Sequence, residues 1–275
     1  MDRGAVHFAL NHIIAPGLPL PAFFAGAREL EIACVEIRND LPGNAILDGT
    51  PAAEIRAEAE RAGVAILSVN ALQRFNDWSP ARESEAAELA DYAVQCGAQA
   101  LVLVPGNDGG GRGDHERLTN LTTALRALKP LLRARGLIGL VEPLGFETSS
   151  LRRKSEAVAG IDAVDGADVF RLVHDTFHHH LAGEDALFPE RTGLVHISGV
   201  EDDIAPGDMR DSHRVLVGEG DRLGNVAQIR ALLAGGYEGT LSFEPFADSV
   251  HRLSESELRD GVEKSMKLVV SGVRA

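Results

Sequence analysis

Eight short apolar runs alternate along the chain with longer amphipathic segments, and this alternation constrains the fold more than any other feature. The runs lie at residues 6–10, 34–37, 65–69, 100–104, 137–141, 170–173, 193–197 and 240–243. Apolar runs of this length, bounded by turn residues, are typical of strands that are buried on both faces, as in a parallel sheet. The pattern therefore predicts eight parallel strands separated by helices.

The segments between the runs carry helical patterns. They lie at residues 21–32, 51–62, 84–96, 119–135, 154–161, 225–234 and 254–270, while the connection at 182–190 is short and only weakly helical. Ser79 before Pro80, and the S-x-x-E run that begins at Ser254, fit the starts of helices, and glycines follow several helices. Eight consecutive strand–helix units predict the α/β fold class, as one (β/α)8 TIM barrel over residues 1–275.

A doubly wound sheet is the structural competitor. Such a sheet places a glycine-rich phosphate turn after its first strand, whereas here the first run continues into Asn11 and His12 without a G-x-G-x-x-G motif. No linker, low-complexity tract or change of composition divides the 275 residues, which favours a single domain.

The charge of the chain restricts its partners. It has 27 Lys and Arg against 41 Asp and Glu, a formal net charge of −14. This balance argues against nucleic acid and anionic membranes as partners and favours neutral substrates or cations. Cys34 and Cys96 are too few for a disulfide framework and lack zinc-site spacing. With no recognisable signal peptide or membrane-spanning apolar run, we expect a cytoplasmic enzyme.

Polar residues follow nearly every apolar run, at the strand ends where barrel enzymes place their active sites. Four of them belong to the last four strands, which are neighbours in a barrel: Glu142, Asp175, His196 and Glu244. Three carboxylates and one imidazole suit a divalent cation such as Mn²⁺, Mg²⁺, Co²⁺ or Zn²⁺, and the carboxylates would repel one another without it. Taken singly, each residue fits a solvated strand end better, so the prediction of a metal site depends on the four together. We call them the strand-end cluster.

Other strand-end residues are candidates for contact with the substrate. His178 lies three residues after the aspartate of the strand-end cluster, where it can reach a substrate or a second metal. Arg214 fits a hydrogen bond to a substrate oxygen and a loop salt bridge equally well. Glu36 and Arg38 share one face of the second strand and fit an internal pair. We predict substrate contacts for His178, Arg214, Asn11 and Arg38.

Taken together, these stretches resemble the xylose-isomerase-like barrel superfamily of sugar isomerases and epimerases, over nearly the whole chain. The resemblance is carried by VEIR at 35–38, NALQRFN at 70–76, DTFHHH at 175–180, VHISGVED at 195–202, the HR and GEG segment at 213–220, and LSESE at 253–257. Within the superfamily, the similarity is greatest to the inosose (2-keto-myo-inositol) isomerases of inositol catabolism. The resemblance implies that the strand-end cluster binds the metal, that His178 and Arg214 bind substrate, and that the enzyme is a homodimer.

The leading hypothesis is a metal-dependent isomerase or epimerase of a polyhydroxylated ketone. A metal ion bound to the carbonyl and the adjacent hydroxyl would make the C–H between them more acidic. Glu142 or Glu244 would remove this proton, and the same residue or the other would return it to the neighbouring carbon of a metal-bound cis-enediolate.

Three alternatives stay open. The first is an inosose dehydratase that uses the same metal site, and the second is a non-catalytic sugar-binding barrel. The third is a DNA repair nuclease of the endonuclease IV type, which would share the stretch from Asp175 to His178. Its three-metal cluster would need further histidines where Glu36 and Asn70 stand, and the charge of the chain opposes DNA binding.

Overall fold

The strands of the computed structural model close into a barrel, which is described over residues 6–43, 45–111 and 113–275. Within these ranges the strands are β1 His7–Asn11, β2 Cys34–Arg38, β3 Ala65–Gln73, β4 Ala100–Val104, β5 Ile138–Val141, β6 Phe170–Asp175, β7 Thr192–Ile197 and β8 Thr240–Phe243. Each strand pairs in parallel with its neighbours in chain order, and β1 pairs with β8. This confirms the predicted (β/α)8 TIM barrel. The start of the chain, where no signal peptide is expected, lies outside the described residues at 1–5.

The connections are helical. The α-helices of the described residues are α1 Leu20–Glu29, α2 Ala45–Asp48, α3 Ala52–Ala62, α4 Pro80–Cys96, α5 Asp114–Arg133, α6 Lys154–Asp162, α7 Thr176–Ala182, α8 Asn225–Ala234, α9 Asp248–His251 and α10 Glu255–Arg274. The predicted helix starts are confirmed at Ser79, which accepts a hydrogen bond from the backbone of Arg82, and at Ser254, which forms a capping box with Glu257. In the described residues, no helix is both long and apolar enough to cross a membrane.

The helix after β6 differs from its prediction. The sequence indicated a weak helix at 182–190, but α7 begins immediately after β6. The reason is Asp175, whose carboxylate accepts hydrogen bonds from the backbone N–H groups of Phe177 and His178 and so caps the helix. Gly183, at φ +59°, ends it in the left-handed conformation that glycine tolerates best. This early start brings His178 to the mouth of the barrel.

The alternation of side chains along each strand determines which residues lie inside the barrel next to the strand-end cluster. Side chains two residues apart share one face of a strand, so Leu140, Val173 and Leu194 lie on the same inner face as the cluster residue that follows each of them. They belong to an apolar group of buried side chains inside the barrel. A larger apolar layer lies between the barrel and the helices. The strand-end cluster therefore packs against a layer of apolar side chains inside the barrel.

Candidate metal centre

The structure brings the four residues of the strand-end cluster together at the carboxyl end of the barrel. Glu142 and Glu244 directly follow β5 and β8, whereas Asp175 ends β6 and His196 lies within β7. Each offers one ligand atom, and these four atoms all lie within 4.8 Å of one another. All four side chains are buried. Three carboxylate oxygens and an imidazole nitrogen at this separation are a donor set that fits a divalent cation such as Mn²⁺, Mg²⁺, Co²⁺ or Zn²⁺.

His196 is held from both sides of its ring. Its Nδ1 lies 2.9 Å from Glu142 Oε1 and 3.2 Å from Glu244 Oε2. Its Nε2 lies 3.1 Å from Glu36 Oε1. Burial alone would lower the pKa of His196, but the charges of Glu244, Glu36 and Glu142 outweigh burial and raise the pKa well above its usual value. By these distances, Nδ1 faces Glu142 and Glu244, and Nε2 faces Glu36.

Glu36 is a member of the site that the sequence did not identify as such. Its carboxylate accepts hydrogen bonds from Ser68 Oγ at 2.6 Å, from Asn70 Nδ2 at 2.8 Å and from Ser242 Oγ. Burial acts to raise its pKa, but the charge and hydrogen bond of His196, with the hydrogen bond of Ser242, lower it overall. The available signal was alternation along β2, where Glu36 lies on the opposite face to its apolar neighbours.

Asn11 and Arg38 both reach Glu244. Asn11 Nδ2 donates to Glu244 Oε1 at 3.2 Å, and Arg38 Nη1 donates to the same oxygen at 3.0 Å. Arg38 also forms a bidentate salt bridge with Asp40, from Nε to Oδ1 at 2.8 Å and from Nη2 to Oδ2 at 2.7 Å. The interpretation of Glu36 and Arg38 as an internal pair is thus incomplete, because each contacts a different residue of the strand-end cluster. A substrate contact for Asn11 or Arg38 stays a prediction.

Arg214 bridges two residues of the strand-end cluster and is fully buried. Its Nη2 donates to Asp175 Oδ2 at 2.6 Å and to Glu244 Oε2 at 2.9 Å. The guanidinium carbon lies 5.0 Å from the ring centre of Phe177 and 4.6 Å from that of Phe246. Of the two sequence interpretations, the salt bridge is therefore observed, with two residues of the strand-end cluster as its partners. The contact with substrate stays a prediction.

The two glutamates of the cluster have opposite pKa shifts. Burial raises the pKa of Glu142, and the nearby charges of Glu244 and Asp175 raise it further, although His196 opposes them. For Glu244, burial also acts to raise the pKa, but His196, Arg214 and Arg38 outweigh burial and hold the pKa well below its usual value. The cations of the chain thus compensate some of the acidic charge, and a divalent ion would compensate the rest.

A cavity of about 580 Å³ opens among the segments that follow the strands. Its lining comes from the segments after β4, β5 and β7 and from α7: Asn107, Gly145, Phe146, Glu147, Thr148, Arg152, Leu181, Pro206, Gly207, Met209, Arg210 and Asp211. Phe146 packs edge-on against His178 at 5.2 Å between ring centres, and Asp211 accepts a hydrogen bond from Arg214 at 3.2 Å. The cavity is therefore lined by one residue that contacts His178 and by one that contacts Arg214, and its volume suits a small molecule.

Comparisons with known proteins agree with the barrel fold. Residues 24–269 match the sequence model of the family described as xylose isomerase-like TIM barrel. A xylose isomerase domain containing protein of Salmonella typhimurium is 34% identical, with a TM-score of 0.90 and 98% of each chain covered. No curated protein sequence matches the chain.

More distant solved structures share the fold. The IOLI protein with a bound zinc atom is 20% identical, with a TM-score of 0.85, and the match covers 97% of this chain and 98% of that one. The D-psicose 3-epimerase of Clostridium cellulolyticum, solved with D-tagatose, is 14% identical, with a TM-score of 0.76 and coverage of 98% and 99%.

Proposed function

Because the chain belongs to the xylose isomerase-like TIM barrel family, we propose that it is a divalent-metal-dependent isomerase or epimerase of a polyhydroxylated ketone, with an inosose (2-keto-myo-inositol) as substrate. The observation that carries this proposal is the strand-end cluster, whose four ligand atoms lie within 4.8 Å of one another in a buried site. Zinc in the IOLI structure and the ketose in the D-psicose 3-epimerase structure support the same chemistry.

The metal ligands in this proposal are Glu142, Asp175, His196 and Glu244. When bound, a divalent cation polarises the substrate carbonyl and stabilises the negative charge that develops on its oxygen. The donor set is common to Mn²⁺, Mg²⁺, Co²⁺ and Zn²⁺, so its chemistry supports this group of ions.

The proposed proton transfer uses Glu142, Glu244 or both. In the proposed reaction, Glu142 or Glu244 takes the proton from the carbon beside the carbonyl, and the same residue or the other gives it back to the adjacent carbon. Asn11 and Arg38 hydrogen-bond one oxygen of Glu244 and limit its rotation. These hydrogen bonds hold the carboxylate in one orientation, which supports a role in proton transfer at a fixed substrate atom.

The residues at the mouth orient the substrate. Arg214 and His178 donate hydrogen bonds to its oxygens, with Asn11 and Arg38 as further contacts. The rings of Phe146 and Phe177 pack against His178, and those of Phe177 and Phe246 pack against Arg214. This apolar packing reduces the exposure of both donors to bulk solvent, which strengthens their polar contacts. The bordering cavity supports a small-molecule substrate. A homodimer and a cytoplasmic location complete the proposal.

The test uses metal-stripped protein reloaded with Mn²⁺, Mg²⁺, Co²⁺ or Zn²⁺ and assayed in D₂O with 2-keto-myo-inositol and a panel of ketoses. We expect deuterium at the carbon beside the carbonyl only with loaded protein. Glu142→Gln and Glu244→Gln, measured at saturating metal with metal content recorded, should lose turnover. Glu263→Gln is the control, because Glu263 pairs with Lys267 on the surface of α10.

Two results would overturn the proposal. Full activity after complete metal removal would exclude the metal as a participant. Release of an absorbing dione without deuterium exchange into recovered substrate would instead assign the protein as a dehydratase that uses the same site.

A further inference from the structure

A buried lysine lies behind the candidate active site. Lys154 is the first residue of α6 and only 4% exposed. Its Nζ lies 2.7 Å from Nδ1 of His174. The nearby Glu184 accepts hydrogen bonds from the backbone N–H groups of Lys154 and Ser155, so it caps α6. Among the described residues, Lys154 therefore has no carboxylate within hydrogen-bond distance of its ammonium group, which is rare for a buried lysine.

The direction of the hydrogen bond between Lys154 and His174 follows from Gln228. The side-chain amide nitrogen of Gln228 donates to the carbonyl oxygens of Thr176 and Leu223. Its oxygen therefore faces Nε2 of His174, at 2.9 Å, and accepts a proton from it. Since Nε2 of His174 carries the ring proton, its Nδ1 has a free lone pair. Lys154, whose side chain is a hydrogen-bond donor, therefore donates to Nδ1 of His174.

A small void separates Lys154 from α7. It measures about 10 Å³ and is bounded by Lys154, Asp175, His178 and His179, among others. The Nδ1 atoms of His178 and of His179 are buried and have no hydrogen-bond partner among the described residues. Buried polar atoms nearly always have a hydrogen-bond partner, so two unpartnered ring nitrogens on residues that line one void are a signal that something polar satisfies them.

We propose that the void binds one water molecule, which accepts a hydrogen bond from Lys154 and donates to Nδ1 of His178 and to Nδ1 of His179. A buried water typically makes about three hydrogen bonds and needs roughly 10–15 Å³. Both the volume and the set of polar groups meet these requirements. Burial, together with the charge of Lys154, lowers the pKa of His179 to about 4, so its ring is neutral and able to accept.

This water fixes the tautomer of His178. Because Nδ1 accepts a hydrogen bond, the ring proton must lie on Nε2, which makes Nε2–H the donor available to a substrate oxygen. Lys154 is therefore a positioning residue that acts through the water and His178. The catalytic consequence rests on the proposed function, whereas the tautomer does not.

The test reads the tautomer directly by NMR of ¹⁵N-histidine-labelled protein loaded with Zn²⁺, without substrate. We expect His178 to carry its proton on Nε2 in the wild-type protein. In Lys154→Met, which keeps the length of the chain but removes the donor, we expect the Nδ1–H form to appear. Lys129→Met is the matched control, because Lys129 also makes a 2.7 Å hydrogen bond, to the carbonyl of Val164, far from His178 in the sequence.

Activity gives the second readout. For Lys154→Met we expect kcat to fall about 10- to 100-fold with little change in KM, as for other residues that orient a functional group through a partner. A wild-type Nδ1–H tautomer of His178 would overturn the inference, even if the variant failed to fold. An unchanged tautomer in the folded variant would also overturn it. Wild-type protein without isomerase activity would overturn the proposed function alone, because the tautomer is measured without turnover.

Discussion

Glu36 and His196 form the hydrogen bond that determines which nitrogen faces the candidate metal centre. Nε2 of His196 lies 3.1 Å from Glu36 Oε1, on the side of the ring opposite to Glu142. In metalloproteins, a carboxylate behind a ligating histidine fixes the ring orientation and increases its basicity. The relationship therefore assigns Glu36 to the support of the site, although it is not a member of the strand-end cluster.

Glu36→Gln should weaken metal binding by about 10- to 100-fold. The substituted amide would place an N–H donor against other donors, since Ser68 and Asn70 both donate to Glu36. The measurement is the dissociation constant for Zn²⁺ by competition with a chromophoric chelator. Unchanged affinity would refute the supporting role, and Glu263→Gln controls for the loss of a carboxylate elsewhere.

Arg214→Met should destabilise the metal-free protein by about 3–5 kcal/mol, because it removes a buried cation and leaves its carboxylate partners uncompensated. Arg214 contacts both Asp175 and Glu244. Divalent metal should then stabilise the variant by more than it stabilises the wild-type protein, as measured by thermal unfolding with and without Mn²⁺. An exposed pair, Arg252 with Asp248, supplies the control Arg252→Met. Equal stabilisation of variant and wild type by metal would contradict this prediction.

The sequence was sufficient for the barrel and for the strand-end cluster, because both follow from one regularity. Each apolar run predicts a strand, and a polar residue after it must lie at the carboxyl face, whatever the connections are. Glu142 and Glu244 could be found in this way without knowledge of any contact. Metal binding by the four residues of the strand-end cluster stays a prediction, whereas their proximity is a property of the fold.

Other parts of the site depend on contacts that no local pattern contains. Glu36 and His196 are 160 residues apart, and their hydrogen bond requires both to point inward at matching heights across the barrel. The early start of α7 depends on which backbone groups the carboxylate of Asp175 reaches. From the sequence, Lys154 could be assigned only to a helix. Its burial beside His174 depends on the packing of α6 on β6, which the local sequence does not contain.

Gly145→Ala should lower kcat/KM through a displacement of α7. A Cβ at this position would collide with the carbonyl oxygen of His178 and would lie 2.6 Å from Cβ of Leu181. Because backbone atoms cannot yield as a flexible side chain can, the helix that carries His178 must shift, at a cost of about 1–3 kcal/mol in stability. Gly26→Ala in α1 is the control: no atom lies within 4 Å of its Cβ. Wild-type activity in Gly145→Ala would show that the position of α7 is unimportant.

Lys154 should also make stability depend on pH. Burial lowers its pKa from 10.5 to about 7 in the folded protein. Between these two values the unfolded chain binds more protons, so stability rises with pH. Lys154→Met lacks this dependence. The free energy of unfolding of the wild-type protein, minus that of Lys154→Met, should therefore increase by about 1.4 kcal/mol per pH unit from pH 7.5 to 10. Urea unfolding of both proteins measures this difference. His174 and His179, which face Lys154, have lowered pKa values and stay neutral throughout this range. A difference independent of pH would show that the folded lysine keeps its ordinary pKa.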